Sequence, residues 1–71
     1  MKLKNRLKVA RITYDDLTQE QLAKMAGCSR QTINSIENSR FVPSVELALR
    51  IASVLEMQVE DIFVLQEGDD E

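Results

Sequence analysis

Apolar residues recur along this chain at helical spacing, and the stretches between them carry turn and capping residues. Leu3, Leu7, Ala10 and Arg11 fall on one stripe, which predicts a first helix from about Lys4 to Ile12. Thr13 to Leu17 reads as a turn, with the Asp15-Asp16 pair as its breaker. Thr18-Gln19-Glu20-Gln21 has capping-box spacing: the Thr18 hydroxyl can accept from the Gln21 N–H while the Gln21 side chain reaches back. The second helix then carries Leu22, Ala23 and Ala26 inward and stops at Gly27, which accepts left-handed backbone cheaply. Ser29 is an N-cap for a third helix, about Arg30 to Asn38, with Ile33 and Ile36 on its inner side. Pro43 and Ser44 open a fourth helix whose inner stripe is Val45, Leu47, Ala48, Ile51, Ala52 and Leu55. Val59, Ile62 and Phe63 suggest a short fifth helix, although Phe63-Val64-Leu65 is also β-prone.

The second and third helices form a distinct unit. Two short helices joined around a glycine match the helix-turn-helix, whose second helix enters the DNA major groove. Such helices cross steeply, so a small residue is needed where they touch and a flexible one where the chain turns. Ala23 and Gly27 hold those two places. At about 100° per residue, with Ile33 set at zero, Asn34, Asn38, Gln31 and Ser35 fall at about 100° to 200°, opposite the buried arc. That face carries amides and a hydroxyl, with Arg30 on the first turn. An ordinary solvated face would carry Glu, Lys and Arg instead. Amides can bond adenine bidentately and arginine can bond guanine, so the face suits base reading.

Composition narrows the alternatives. Seventy-one residues hold one domain, and 44% hydrophobic content with two glycines and one proline favours a packed helical fold over disorder. The chain has no histidine and a single cysteine, Cys28, which excludes a disulfide framework or a Cys/His zinc site within one chain. Nucleophilic pairs lack their base, so an enzyme is not expected, nor any metal or cofactor. Cys28 itself reads as a packed, unreactive thiol. No apolar run is long enough to span a bilayer, and a cytoplasmic, nucleoid-associated protein is expected. Net charge is −3, but all nine basic residues lie in residues 1–50 against five acids, while residues 51–71 carry seven acids and no base. A polyanion would be drawn to the first part and repelled by the last. The acidic end, residues 67–71, is expected to be a disordered tail that follows a single domain spanning 1–66.

The runs NRLKVAR (5–11), LTQEQLAKMAG (17–27), SRQTINSIEN (29–38), PSVELALRIASVLE (43–56) and VEDIF (59–63) resemble the Xre-type, phage repressor/Cro-like helix-turn-helix family. The short stand-alone members of the cytolysin-repressor type are the most similar. The resemblance implies an all-α, compact five-helix fold of the lambda-repressor kind and sequence-specific binding of double-stranded DNA by a dimeric transcriptional repressor. Its partners would be a pseudo-palindromic operator and a second copy of the chain. An antitoxin-like interaction module that also binds its operator is the alternative. Carried over by position, Gln19 binds a phosphate, and Ser29, Arg30, Gln31, Thr32, Asn34 and Ser35 face bases or nearby phosphates. Asn38 and Arg40 clamp the backbone, and Arg11 pairs with Glu37 to hold the fold. Ser39 stands where the family ends its third helix with glycine, and Gln58 is an unusual cap before the fifth helix, which is expected to fray. Short members also pair their chain ends as a small antiparallel sheet. Lys2 to Lys4 is therefore expected to pair with about Val64 to Gln66, with Ile62, Val64 and Leu65 forming a two-fold contact.

Overall fold

The computed structural model describes residues 1–67, so the acidic tail expected from residue 67 lies, beyond Glu67, outside the described residues. The chain runs β1 (Lys2–Asn5), α1 (Leu7–Asp15), α2 (Gln19–Ala26), α3 (Arg30–Glu37), α4 (Val45–Val54), α5 (Val59–Ile62) and β2 (Phe63–Gln66). Five helices enclose the core, and the two strands clasp antiparallel, Lys2 opposite Gln66 and Leu3 opposite Leu65. The all-α architecture with a terminal β pair is the one the sequence predicts. The pairing extends one step further than predicted, to Asn5 opposite Phe63.

The first helix differs from its prediction. It begins at Leu7 rather than Lys4 and continues to Asp15. Lys2 to Asn5 are committed to β1, and Asn5 then turns the chain, its Oδ1 accepting from the Leu7 N–H at 3.2 Å. Leu3 therefore leaves the helical stripe, while Leu7, Ala10 and Arg11 stay on it and are buried. At the other end the two aspartates terminate the helix instead of opening a turn. Asp16 adopts left-handed backbone, φ 50°, and its N–H returns to the Ile12 carbonyl at 2.8 Å. Phe63 likewise belongs to β2, with extended backbone at φ −113°, and not to the fifth helix. That helix is a single turn, closed by the Asp61 carboxylate accepting from the Gln58 N–H at 3.3 Å.

Leu7, Leu22, Ile33, Ile36, Ile51, Leu55 and Ile62 are fully buried, so every helix contributes at least one large side chain to one core. Each such side chain stabilises the fold by about 1.5–3 kcal/mol relative to exposure. α2 packs against both α3 and α4, which leaves the outer side of α3 uncovered.

Candidate nucleic-acid interface

Capping residues fix both helices of the central unit. Thr18 Oγ1 accepts from the Gln21 N–H at 3.0 Å and the Thr18 N–H donates to Gln21 Oε1 at 2.8 Å, so α2 starts with Gln19 at its first position. Gly27 ends α2 at φ 79°. A Cβ there would meet nothing closer than the Arg50 guanidinium at 3.9 Å, so the backbone conformation, not space, is what favours glycine. Ser29 Oγ then accepts from the Thr32 N–H at 3.1 Å and shares a hydrogen bond with the Thr32 hydroxyl at 2.9 Å. Both hydroxyls thus hold the first turn of α3, and Arg30 and Gln31 project from it, exposed.

The end of α3 is wrapped by the chain that follows. The Arg40 N–H donates to the Ser35 carbonyl at 2.8 Å and the Ser39 N–H to the Ile36 carbonyl at 3.0 Å, a Schellman closure with Ser39 left-handed at φ 60°. Asn38 Nδ2 donates to the Asn34 carbonyl at 2.9 Å. This closure swings Arg40 back beside α3. Ser29, Gln31, Thr32, Ser35, Arg40 and Phe41 line one open cleft of about 360 Å³. Among the described residues neither Arg30 nor Arg40 has a carboxylate partner, so both guanidinium charges face outward.

Behind this surface lies a polar relay. Arg11 Nε donates to Glu37 Oε2 at 2.7 Å, Arg11 Nη2 to Glu37 Oε1 at 3.1 Å, and Arg11 Nη1 to the Leu17 carbonyl at 2.6 Å. The side chains of this pair are 9% and 4% exposed. Gln19 Nε2 donates to Glu37 Oε1 at 3.0 Å, and Asn34 Nδ2 donates to Gln19 Oε1 at 3.4 Å. Gln19 and Asn34, far apart in sequence, are thereby joined at the rim of α3.

The nine expected site residues thus all belong to the start of α2, to α3 or to the turns that flank it: Gln19 and Asn34 joined by the relay, five others around the cleft, Arg30 and Asn38 at the ends of α3. Of the three residues expected at a two-fold contact, Ile62 requires correction. It is fully buried in the chain's own core. Val64 and Leu65 point to opposite faces of the β pair, as successive strand residues must. Leu65, 64% exposed, shares its face with Leu3, and Val64 stands opposite Lys4.

Two participants escape a periodicity reading. Phe41 edges the cleft. Asn5 Nδ2 donates to the Ile36 carbonyl at 3.0 Å, so a β1 side chain caps the end of α3. The signal for Asn5 was its type, since a short amide at the end of a strand commonly bonds nearby backbone. Elsewhere, burial pushes the Cys28 thiol up while Arg50 pulls against it, consistent with an inert residue. Among the described residues no cluster is placed to hold a metal, and no helix is long and apolar enough to cross a membrane.

A protein-family model described as Helix-turn-helix matches residues 15–62. A protein of Methanocaldococcus jannaschii is 48% identical over 67 residues, covering 94% of this chain and all of that one. A protein of Archaeoglobus fulgidus is 40% identical over 67 residues, with 94% and 93% covered. YgzD of Bacillus subtilis is 40% identical over 65 residues, with 92% and 97% covered. All three bear the name of uncharacterized HTH-type transcriptional regulators.

Proposed function

Because this chain belongs to the helix-turn-helix family, we propose that it binds double-stranded DNA sequence-specifically, as a homodimeric transcriptional repressor with α3 in the major groove. The observation that carries this reading is the outer side of α3. It offers Arg30, Gln31, Asn34, Ser35 and Asn38, while the helix's one acid, Glu37, is turned inward against Arg11. Arg30 and Gln31 read base edges from the first turn, which is where a recognition helix meets them. Gln19, Asn38 and Arg40 hold phosphates on either side and set the register. The names of the relatives, transcriptional regulators, support the same reading.

One such helix meets too few base pairs to be specific, so a two-fold pair of them on a pseudo-palindromic operator follows. An apolar surface suits that role. Leu3, Val42, Val45, Leu49 and Phe63 border one cleft on the face that carries Leu65. Val42, Val45 and Leu49 are each more than half exposed, so Val45 stands outside the inner stripe of α4 on which the sequence places it. A contiguous apolar area of this kind marks an interaction surface.

Selection of random duplexes by the purified protein tests the whole reading, since it returns the half-site and the spacing together. Arg30→Ala or Gln31→Ala is expected to cost about 1–3 kcal/mol on the selected site and to relax one base pair per half-site. Asn38→Ala is expected to weaken all duplexes alike. If folded Arg30 and Gln31 variants bind the selected site as tightly as the parent, α3 is not the reading element.

A further inference from the structure

Glu37 begins a chain of hydrogen bonds that surfaces on the outer side of α3. Its carboxylate accepts twice from Arg11, and an ionised carboxylate offers acceptors only. The Gln19 atom 3.0 Å from Glu37 Oε1 is therefore the amide nitrogen, whichever way an isolated glutamine would turn. Gln19 Oε1 must then face the other way, 3.4 Å from the Asn34 side chain, where only a donor fits. So Asn34 turns Nδ2 toward Gln19, and its Oδ1 is directed away from the relay.

We infer that buried Glu37, acting through Gln19, fixes the donor–acceptor order of the Asn34 amide and makes Asn34 a specificity-determining residue for a base with an exocyclic amino group. Adenine N6 and cytosine N4 donate in the major groove, whereas guanine O6 and thymine O4 are acceptors there. An oxygen held outward bonds the first pair and repels the second. An asparagine without the relay can turn its amide over, presenting either group, and loses that discrimination. Gln19 is on this account a positioning residue for a base it does not touch, in addition to any phosphate it holds. Arg11 contributes in the same indirect way, because its bond to the Leu17 carbonyl anchors the guanidinium that orients Glu37.

The inference rests on α3 entering the major groove, and the experiment separates the two. Duplexes selected by the parent are compared with those selected by Gln19→Met, Asn34→Ala and the double variant, at matched occupancy so that uniform losses of phosphate contact cancel. Neither residue is part of the apolar core, and thermal melts verify that each variant folds. The parent is expected to select adenine or cytosine at one position per half-site, by about 5- to 100-fold over guanine or thymine. That preference is lost in Asn34→Ala, lost equally in Gln19→Met, and no further reduced in the double variant. In the protein without DNA, the Asn34 side-chain amide protons exchange slowly, and replacing Gln19 by Met makes them fast. A parent that enriches no sequence overturns the DNA-binding reading and this inference with it. A parent that enriches a site, with the preference at the Asn34 position intact in Gln19→Met, overturns the inference alone.

Discussion

Asp16, Ser39 and Glu56 are the non-glycine residues that hold left-handed backbone among the described residues, at φ 50°, 60° and 55°. Each stands just past the end of a helix, where the geometry is needed and where an L side chain costs on the order of 1 kcal/mol. Ser39 has little to offset that cost, since its hydroxyl meets only Asn5 Nδ2, at a long 3.5 Å. Ser39→Gly is therefore expected to stabilise the protein by about 1 kcal/mol and raise the melting midpoint by roughly 4–8 °C, read by circular dichroism. Glu56 has a second task. Its carboxylate accepts from the Tyr14 hydroxyl at 3.0 Å and joins α1 to the turn after α4. That bond, then the charge of Glu56, holds the phenol neutral and raises Tyr14 above its ordinary value of 10.0. A pKa raised on folding means the contribution of the bond is complete below pH 10 and is lost as pH climbs through the raised midpoint. With one tyrosine and no tryptophan, tyrosinate absorbance reads this directly. The midpoint is expected above 10 in the parent and lower in Glu56→Gln; an unchanged midpoint removes the bond.

At the scale of the element, the second and third helices are legible because their boundaries are written in local chemistry. Thr18, Gln21, Gly27 and Ser29 each satisfy a backbone group within a few residues, and each does so as the sequence predicts. The first helix is less legible. Leu3 keeps helical phase with Leu7 and Ala10, and periodicity alone cannot tell that β2, sixty residues later, will claim it. The same cause misplaces Ile62, whose burial depends on how the last turn docks. Polar side-chain relays leave no periodic trace at all, so the Gln19–Asn34 contact was invisible. The Arg11–Glu37 pair was expected through the family resemblance, and its geometry gives it a measurable weight. Removing one partner strands a buried charge, and Arg11→Met is expected to cost about 3–5 kcal/mol. A domain of this size holds roughly 4–10 kcal/mol in all, so that variant is close to unfolding. Replacing both Arg11 and Glu37 by Met is expected to recover most of the loss in urea titrations. A double variant as unstable as the single one would assign the loss to packing.

For the whole molecule, surface placement matters more than the total. The overall charge is negative, yet the basic residues lie in the part that includes α3, and a polyanion responds to the local field. The cleft bordered by Leu3, Val45 and Leu49 is apolar instead, and it is the surface that the proposed dimer would bury. Leu49→Asp with Leu65→Asp is expected to convert a dimer at tens of micromolar into a folded monomer by sedimentation, with weaker operator binding. A dimer that survives both charges places the contact on another face. The clasp that holds this surface has one more consequence, for the end of α3. Along the chain β1 and β2 stand on either side of the five helices, so their pairing closes a loop that spans all of them. Until that loop closes Asn5 has no strand to hold it in place beneath the Ile36 carbonyl, and the closure through Ser39 and Arg40 holds the end of α3 without it. The end of α3 is thus tied to the pairing of two strands that lie on either side of all five helices, and loosening that pair loosens α3 at its Ile36 end first.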